Sequence, residues 1–238
     1  MRPLLAQLRL ELVLLARNGE SLLLTLGIPI LLLVFFANVD VLPIDGEPID
    51  FLAPGVLALA VLSTSLVNLA IATGFEREYG VLKRLGSTPL GRPRLLTAKT
   101  LAILVVEVVQ IAALWLIALT LGWDPNPRAG FVAAVALGTM ACAGLGLCLA
   151  GSLKALVTLA AANGLYLLLL LVSGMVIPLE ELPGPARAVA RALPSGALAE
   201  AVRGTLTDGV DASGRAWVVL AVWAVAAPLL ATRRFRWE

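Results

Sequence analysis

The stretch Glu76–Lys99, EREYGVLKRLGSTPLGRPRLLTAK, is a charge-dense island that carries six of the chain's eighteen basic residues: Arg77, Lys83, Arg84, Arg92, Arg94 and Lys99. Apolar runs flank it, 54–75 before and 100–121 after. Each is about as long as the ~20-residue helix that crosses ~30 Å of hydrocarbon. A polar island between two such runs is a loop outside the bilayer, and the organisation of the chain follows from extending that pattern in both directions.

The composition agrees. Apolar residues make up 60% of the 238 positions and charged residues 14%, far below the roughly 25% charge of a soluble domain. Six apolar runs, each bounded by charge or by Pro and Gly, can be marked: 21–38, 54–75, 100–121, 131–151, 156–177 and 216–232. The expectation is an all-α membrane protein with six transmembrane helices and no detachable soluble domain. The first run is about as long as a spanning helix and lacks a small-residue cleavage site, so it is expected to be retained. It contains Pro29, tolerable only if a neighbour fills the carbonyl that proline frees. Residues 1–20 mix leucine with charge, with Arg2, Arg9 and Glu20 opposite Gln7, Glu11 and Asn18; they read as an interfacial helix with snorkelling arginines, the alternative being a frayed extension. With the island and both termini placed in the cytoplasm, thirteen basic residues fall inside and five outside, as the positive-inside rule requires. The loop 39–50, with Asp40, Asp45, Glu47 and Asp50 and no Lys or Arg, falls outside.

Several function classes are disfavoured. There is no histidine, which removes the commonest general base and metal ligand. No GxxxxGK[ST] phosphate cradle occurs, so ATP hydrolysis by the usual route is closed to this chain. A net charge of +2 with no basic arm offers no nucleic-acid signature. Cys142 and Cys148 lie six apart in one run, on different faces of a helix, and read as small packing residues. Within the runs, Ser63, Thr64, Ser65, Asn68 and Thr73, and further on Gly138, Gly144, Gly146 and Gly151, suit close helix contacts. Asn68 serves either packing or a translocation path. Glu107, with Gln110 three residues later, is the costliest position; it either meets a cationic substrate or shapes the cavity, or is protonated or paired for structure alone.

Inside the island, Phe75, Tyr79, Leu82 and Gly86 space an apolar stripe for one short amphipathic helix. It must stop before Pro89, and Pro93 opens the helix that enters the next run. Such a helix is shaped either for a groove in a partner or merely as a positive-inside loop. In the stretch 178–215, Arg187 and Arg191 stand one turn apart, Pro194 breaks the helix, and Ser195 is placed to cap a second one bearing Glu200 and Arg203. That stretch is a lid or a plain loop.

The run Glu76-Arg77-Glu78-Tyr79-Gly80-Val81-Leu82-Lys83-Arg84-Leu85, followed by Thr88-Pro89 and Lys99, resembles the E-x-E-x-G-x-L-x-x-L…TP…K signature of type-2 ABC exporter permeases. Ser173–Pro183, SGMVIPLEELP, resembles the family's S-G-x-x-x-P…L-P segment after the fifth span. The resemblance covers nearly the whole chain. It implies an N-terminal elbow helix over 1–20, a cytoplasmic coupling helix in 76–99, and an outer re-entrant helical pair in 178–215. It further implies that Glu76, Glu78, Gly80, Leu82, Lys83, Arg84 and Leu85 couple to an ATPase, while Gly174, Pro178, Glu180, Glu181, Arg187 and Arg191 belong to an outer gate. Partners implied are two copies of a cytoplasmic ABC ATPase and a second permease, identical or paralogous, all in a lipid bilayer. No cofactor belongs to this chain; ATP and Mg reside on the ATPase. Asn68, Glu107 and Gln110 are the substrate-path candidates. Few aromatic residues in the second, third and fifth runs favour a hydrophobic drug or lipid over a sugar polymer. Three lysines against fifteen arginines suggest a GC-rich bacterial genome, and hence a bacterial plasma membrane. Competing classes are a gated channel or structural membrane subunit, and an intramembrane enzyme, for which Lys154 and Glu107 lack convincing partners.

Overall fold

The structure, a computed structural model, describes residues 2–39, 47–88, 90–176 and 178–235. Asp40 and Asp45 of the acidic loop, Pro89, Ile177 and the tail 236–238 lie outside the described residues, as does the side chain of Glu180. All regular structure among the described residues is helical. Four helical runs are long and apolar enough to cross a membrane, Pro48–Glu78, Arg92–Thr120, Gly130–Ser152 and Gly214–Arg234, and two shorter apolar stretches are Thr25–Asn38 and Ala155–Leu171.

The chain begins with α1 (Arg2–Arg17) and, after a break at Asn18, α2 (Gly19–Asn38). α1 is amphipathic in an inverted sense: Gln7 and Glu11 are buried against the protein while Leu5, Leu10, Val13 and Leu14 are exposed. That arrangement suits a helix lying against lipid with its polar line turned inward. The second crossing run starts at Pro48, earlier than the apolar composition marks it, because Pro48 takes a position in the first helical turn where its missing N–H costs nothing. It runs through α3 (Pro48–Leu62), one π-helical stretch (Ser63–Asn68) and α4 (Leu69–Glu78) without a break. The short α5 (Val81–Gly86) and the long α6 (Arg92–Thr120) follow, then α7 (Gly130–Ser152), α8 (Ala155–Leu171), α9 (Gly184–Ala192), α10 (Pro194–Leu206) and α11 (Gly214–Arg234).

α7 is the central post. It packs along α11 over most of its length and also meets α4, α10 and the π-helical stretch. The approach is close because α7 presents glycine: a Cβ on Gly144 would sit 2.5 Å from the backbone nitrogen of Pro228, and one on Gly146 would sit 2.6 Å from the carbonyl oxygen of Leu66. α10 is buried along almost its whole length, from Pro194 to Leu206, against α3, α7 and α11. Ser195 does not cap it: Pro194 occupies the first turn, where its fixed φ is pre-organised, which moves the cap to Leu193.

Pro29 frees the carbonyl of Thr25, four residues back in α2, since proline has no N–H to donate. In hydrocarbon an empty carbonyl is costly. The amide of Gln110 on α6 fills it, Nε2 donating to the Thr25 oxygen at 2.7 Å, while the Thr64 hydroxyl in the π-helical stretch donates to Gln110 Oε1 at 2.9 Å. One buried amide thus joins three segments, α2, α6 and the π-helical stretch. Gln110→Leu is expected to cost about 1–3 kcal/mol by leaving Thr25 and Thr64 unsatisfied. Pro29→Ala restores an intrahelical donor to Thr25, so the double variant should lose less than the sum of the two single changes when detergent-micelle melting is measured.

Candidate functional site

The residues of the island gather at one end of the bundle, together with α1, the α7–α8 turn and Phe235 at the end of α11. α4 closes the second long apolar run and ends at Glu78. Gly80 then takes φ +72°, a left-handed conformation that side-chain-bearing residues avoid. The expected single helix from Phe75 to Gly86 is therefore two: the left-handed residue terminates α4, as glycine commonly does at a helix C-terminus, and α5 restarts in a new direction. The apolar spacing survives the break. Leu82 is fully buried in a cluster with Leu90, Leu95, Leu96 and Phe235, and Leu85 packs at its edge. Tyr79, Val81, Lys83 and Arg84 face outward.

Beneath α5 the charged residues of the signature are tied to the bundle. Lys99, at the root of α6, is 1% exposed. Its ammonium lies 2.6 Å from Glu76 Oε2 and 3.0 Å from both carboxylate oxygens of Glu11 on α1. The Gln7 amide donates to Glu11 Oε1 at 2.7 Å, fixing that carboxylate in turn. Arg77 donates to the carbonyl of Leu153, the residue that ends α7, and Glu78 accepts the N–H of Ala155, the first residue of α8, at 3.2 Å. A cation at a helix C-terminus and an anion at a helix N-terminus both sit favourably in the helix field. Three consecutive residues, Glu76, Arg77 and Glu78, thereby grip α6 with α1, α7 and α8.

The substrate-path candidates do not converge. Asn68 borders a cavity of about 310 Å3 between α1 and α4, alongside Leu14, Phe75, Glu76 and Lys99. Gln110 spends its amide on Thr25 and Thr64. Glu107 is fully buried; it accepts the Thr139 hydroxyl of α7, and its other oxygen, Oε1, has no hydrogen-bond partner among the described residues. Neither Glu107 nor Gln110 borders the Asn68 cavity.

The residues expected at an outer gate stand at the opposite end. Gly174 has φ +74° and accepts from Arg203 at 3.1 Å. Pro178 precedes a short 3-10 turn, Leu179–Glu181, that holds Glu180 and Glu181. Arg187 donates to the Leu182 carbonyl at 3.1 Å, and Arg191 is half-buried on α9. Sequence reasoning missed Glu11, whose only signal was its place one turn after Gln7 on a polar line, where a buried acid demands a cation.

Apolar helices long enough to cross a bilayer, with a charge-clamped loop helix at one end and a helical pair at the other, are the features of a multi-pass membrane protein. A family model described as ABC-2 type transporter matches residues 4–207, and the chain belongs to that family, whose members are transport permeases rather than catalysts. No curated protein matches the chain.

Removing one member of a buried ion cluster strands its partners, typically at about 3–5 kcal/mol. Lys99→Met is expected to lower the melting temperature sharply, and adding Glu11→Gln and Glu76→Gln should recover part of the loss. A melting curve unmoved by Lys99→Met would show that the triad is not buried in solution.

Proposed function

We propose that this chain is the membrane subunit of an exporter driven by a separate cytoplasmic ATPase, and that the island is the part that ATPase moves. The supporting observation is the three-residue grip: Glu76 on Lys99, Arg77 on Leu153 and Glu78 on Ala155. A push delivered to α5 reaches α1, α6, α7 and α8 through fixed polar contacts and the buried Leu82. In this reading the charged motif divides its labour. Glu76 and Glu78 hold the helix to the bundle, while the outward side chains Tyr79, Val81, Lys83 and Arg84 meet the ATPase.

Six helices cross the membrane in this scheme, α2, the α3–α4 run, α6, α7, α8 and α11, with the island and both ends of the chain in the cytoplasm of a bacterial cell. Two such chains, identical or paralogous, pair and dock on two ATPase subunits that hold ATP and Mg. Closure of the ATPases rocks the spans from inward-open to outward-open, with α9 and α10 as the re-entrant outer gate. The cargo is a hydrophobic drug-like molecule or a lipid, in keeping with the apolar walls of the Asn68 cavity.

Two kinds of variant separate gripping from docking. Glu78→Ala and Gly80→Pro disturb the link, Gly80→Pro because proline cannot adopt φ +72°; both should still bind the ATPase yet lose most transport-coupled ATP hydrolysis in proteoliposomes. Lys83→Glu with Arg84→Glu reverses the outward charge and should abolish co-purification of the ATPase. Unchanged binding and unchanged ATPase stimulation in all of them would rule out the island as the coupling element.

A further inference from the structure

The end of the bundle away from the island contains a second cavity, about 390 Å3, to which the proposed transport cycle assigns no ligand. It lies between α9, α10 and the first turns of α3 and α11, and three arginines border it: Arg191, Arg203 and Arg215. Arg203 is fixed, its guanidinium carbon 4.1 Å above the centre of the Phe51 ring and its Nη2 bonded to the Gly174 carbonyl. Arg191 and Arg215 make no hydrogen bond or ion pair among the described residues. The two carboxylates on the wall are already engaged, Glu200 by the N–H of Ser213 at 3.0 Å and Asp211 by Arg128. The cavity is therefore cationic, with one guanidinium held in place and two without partners.

Its position says where an anion would come from. Arg215 is the second residue of α11, a helix long and apolar enough to cross the membrane, so the cavity lies at the depth where headgroups begin. Its remaining wall includes the apolar side chains of Leu179 and Val210. Guanidinium forks match phosphate oxygens in planar, two-point contacts, the same chemistry by which basic pockets between membrane helices on the cytoplasmic side hold anionic headgroups.

We propose that this cavity binds the phosphate headgroup of an anionic phospholipid drawn from the adjacent leaflet. The phosphate bridges Arg191 on α9 and Arg215 on α11, with Arg203 beneath it, and so staples the α9–α10 pair to the last span. The inference needs neither nucleotide nor partner and stands or falls apart from the transport assignment.

The test uses the full chain purified in detergent and exposed to mixed micelles of phosphatidylglycerol and phosphatidylcholine, with retained lipid read by native mass spectrometry. Wild-type protein is expected to retain phosphatidylglycerol roughly tenfold over phosphatidylcholine, and millimolar inorganic phosphate should leave that ratio unchanged. Arg191→Gln with Arg215→Gln should abolish the preference, while the charge-keeping pair Arg191→Lys with Arg215→Lys should keep part of it. Arg92→Gln, an exposed change at the island end, should leave it intact. Equal retention of the two lipids overturns the proposal. So does a preference that survives the glutamine pair, one that falls equally with Arg92→Gln, or one displaced by inorganic phosphate, which would assign the cavity to a free anion.

Discussion

One ammonium group holds the island end together. Lys99 is buried where an unpaired charge would cost several kcal/mol, and it is tolerable there only because Glu76 and Glu11 reach it from two other segments. α1 is thereby anchored by an ion cluster as well as by Leu15 at the edge of the apolar cluster, with Leu5, Leu10, Val13 and Leu14 left exposed on its other side. The root of α6 and the end of α4 cannot separate without stranding a charge. A loop of the same composition lacking this cluster would be a flexible linker; with it, the island becomes a rigid extension of the spans.

Polar groups inside the bundle follow the same logic of obligatory partnership. Pro29 creates a vacancy, Gln110 fills it, and Thr64 orients Gln110. The π-helical stretch Ser63–Asn68 lies where these contacts and the close approach of Gly146 to Leu66 meet. An extra residue in the turn displaces the backbone locally, and here it coincides with the crossing of α2, α6 and α7 on the second crossing run. Gln110 and Thr64 are thus consumed by the fold, whereas Thr73 Oγ1, Glu107 Oε1 and Ser195 Oγ are buried with no hydrogen-bond partner among the described residues.

Four of the six apolar runs, those that became the long crossing helices, were legible in the sequence because hydrocarbon thickness imposes a length and charge marks the ends, while the first and fifth fall on shorter apolar helices. What lay beyond composition was the geometry at the margins. The helix of the second run begins at Pro48 because proline is welcome in a first turn, although the charged surroundings argued for a loop. The apolar stripe through Phe75, Tyr79, Leu82 and Gly86 had the right period, but period is blind to a left-handed glycine, and Gly80 splits the helix. Ser195 had the right chemistry for a cap and the wrong neighbour, since Pro194 takes the first turn. The signature named Glu76 and Lys99 without revealing that they bind each other, because their partner Glu11 lies 65 residues before Glu76 in another helix.

That pairing changes what the charged motif can be for. A residue already bound inside its own chain has little left to offer a partner, so Glu76, Arg77 and Glu78 are poor candidates for a docking surface and good ones for a transmission joint. A joint must be stiff under load and held by contacts that cannot slide. Charge-assisted bonds to two helix ends and to a buried ammonium meet that demand better than apolar packing, which permits sideways movement at little cost. Under the proposed function the docking role falls to side chains exposed at the surface, Tyr79, Val81, Lys83 and Arg84, whose variety could be altered to suit one ATPase without loosening the joint behind them.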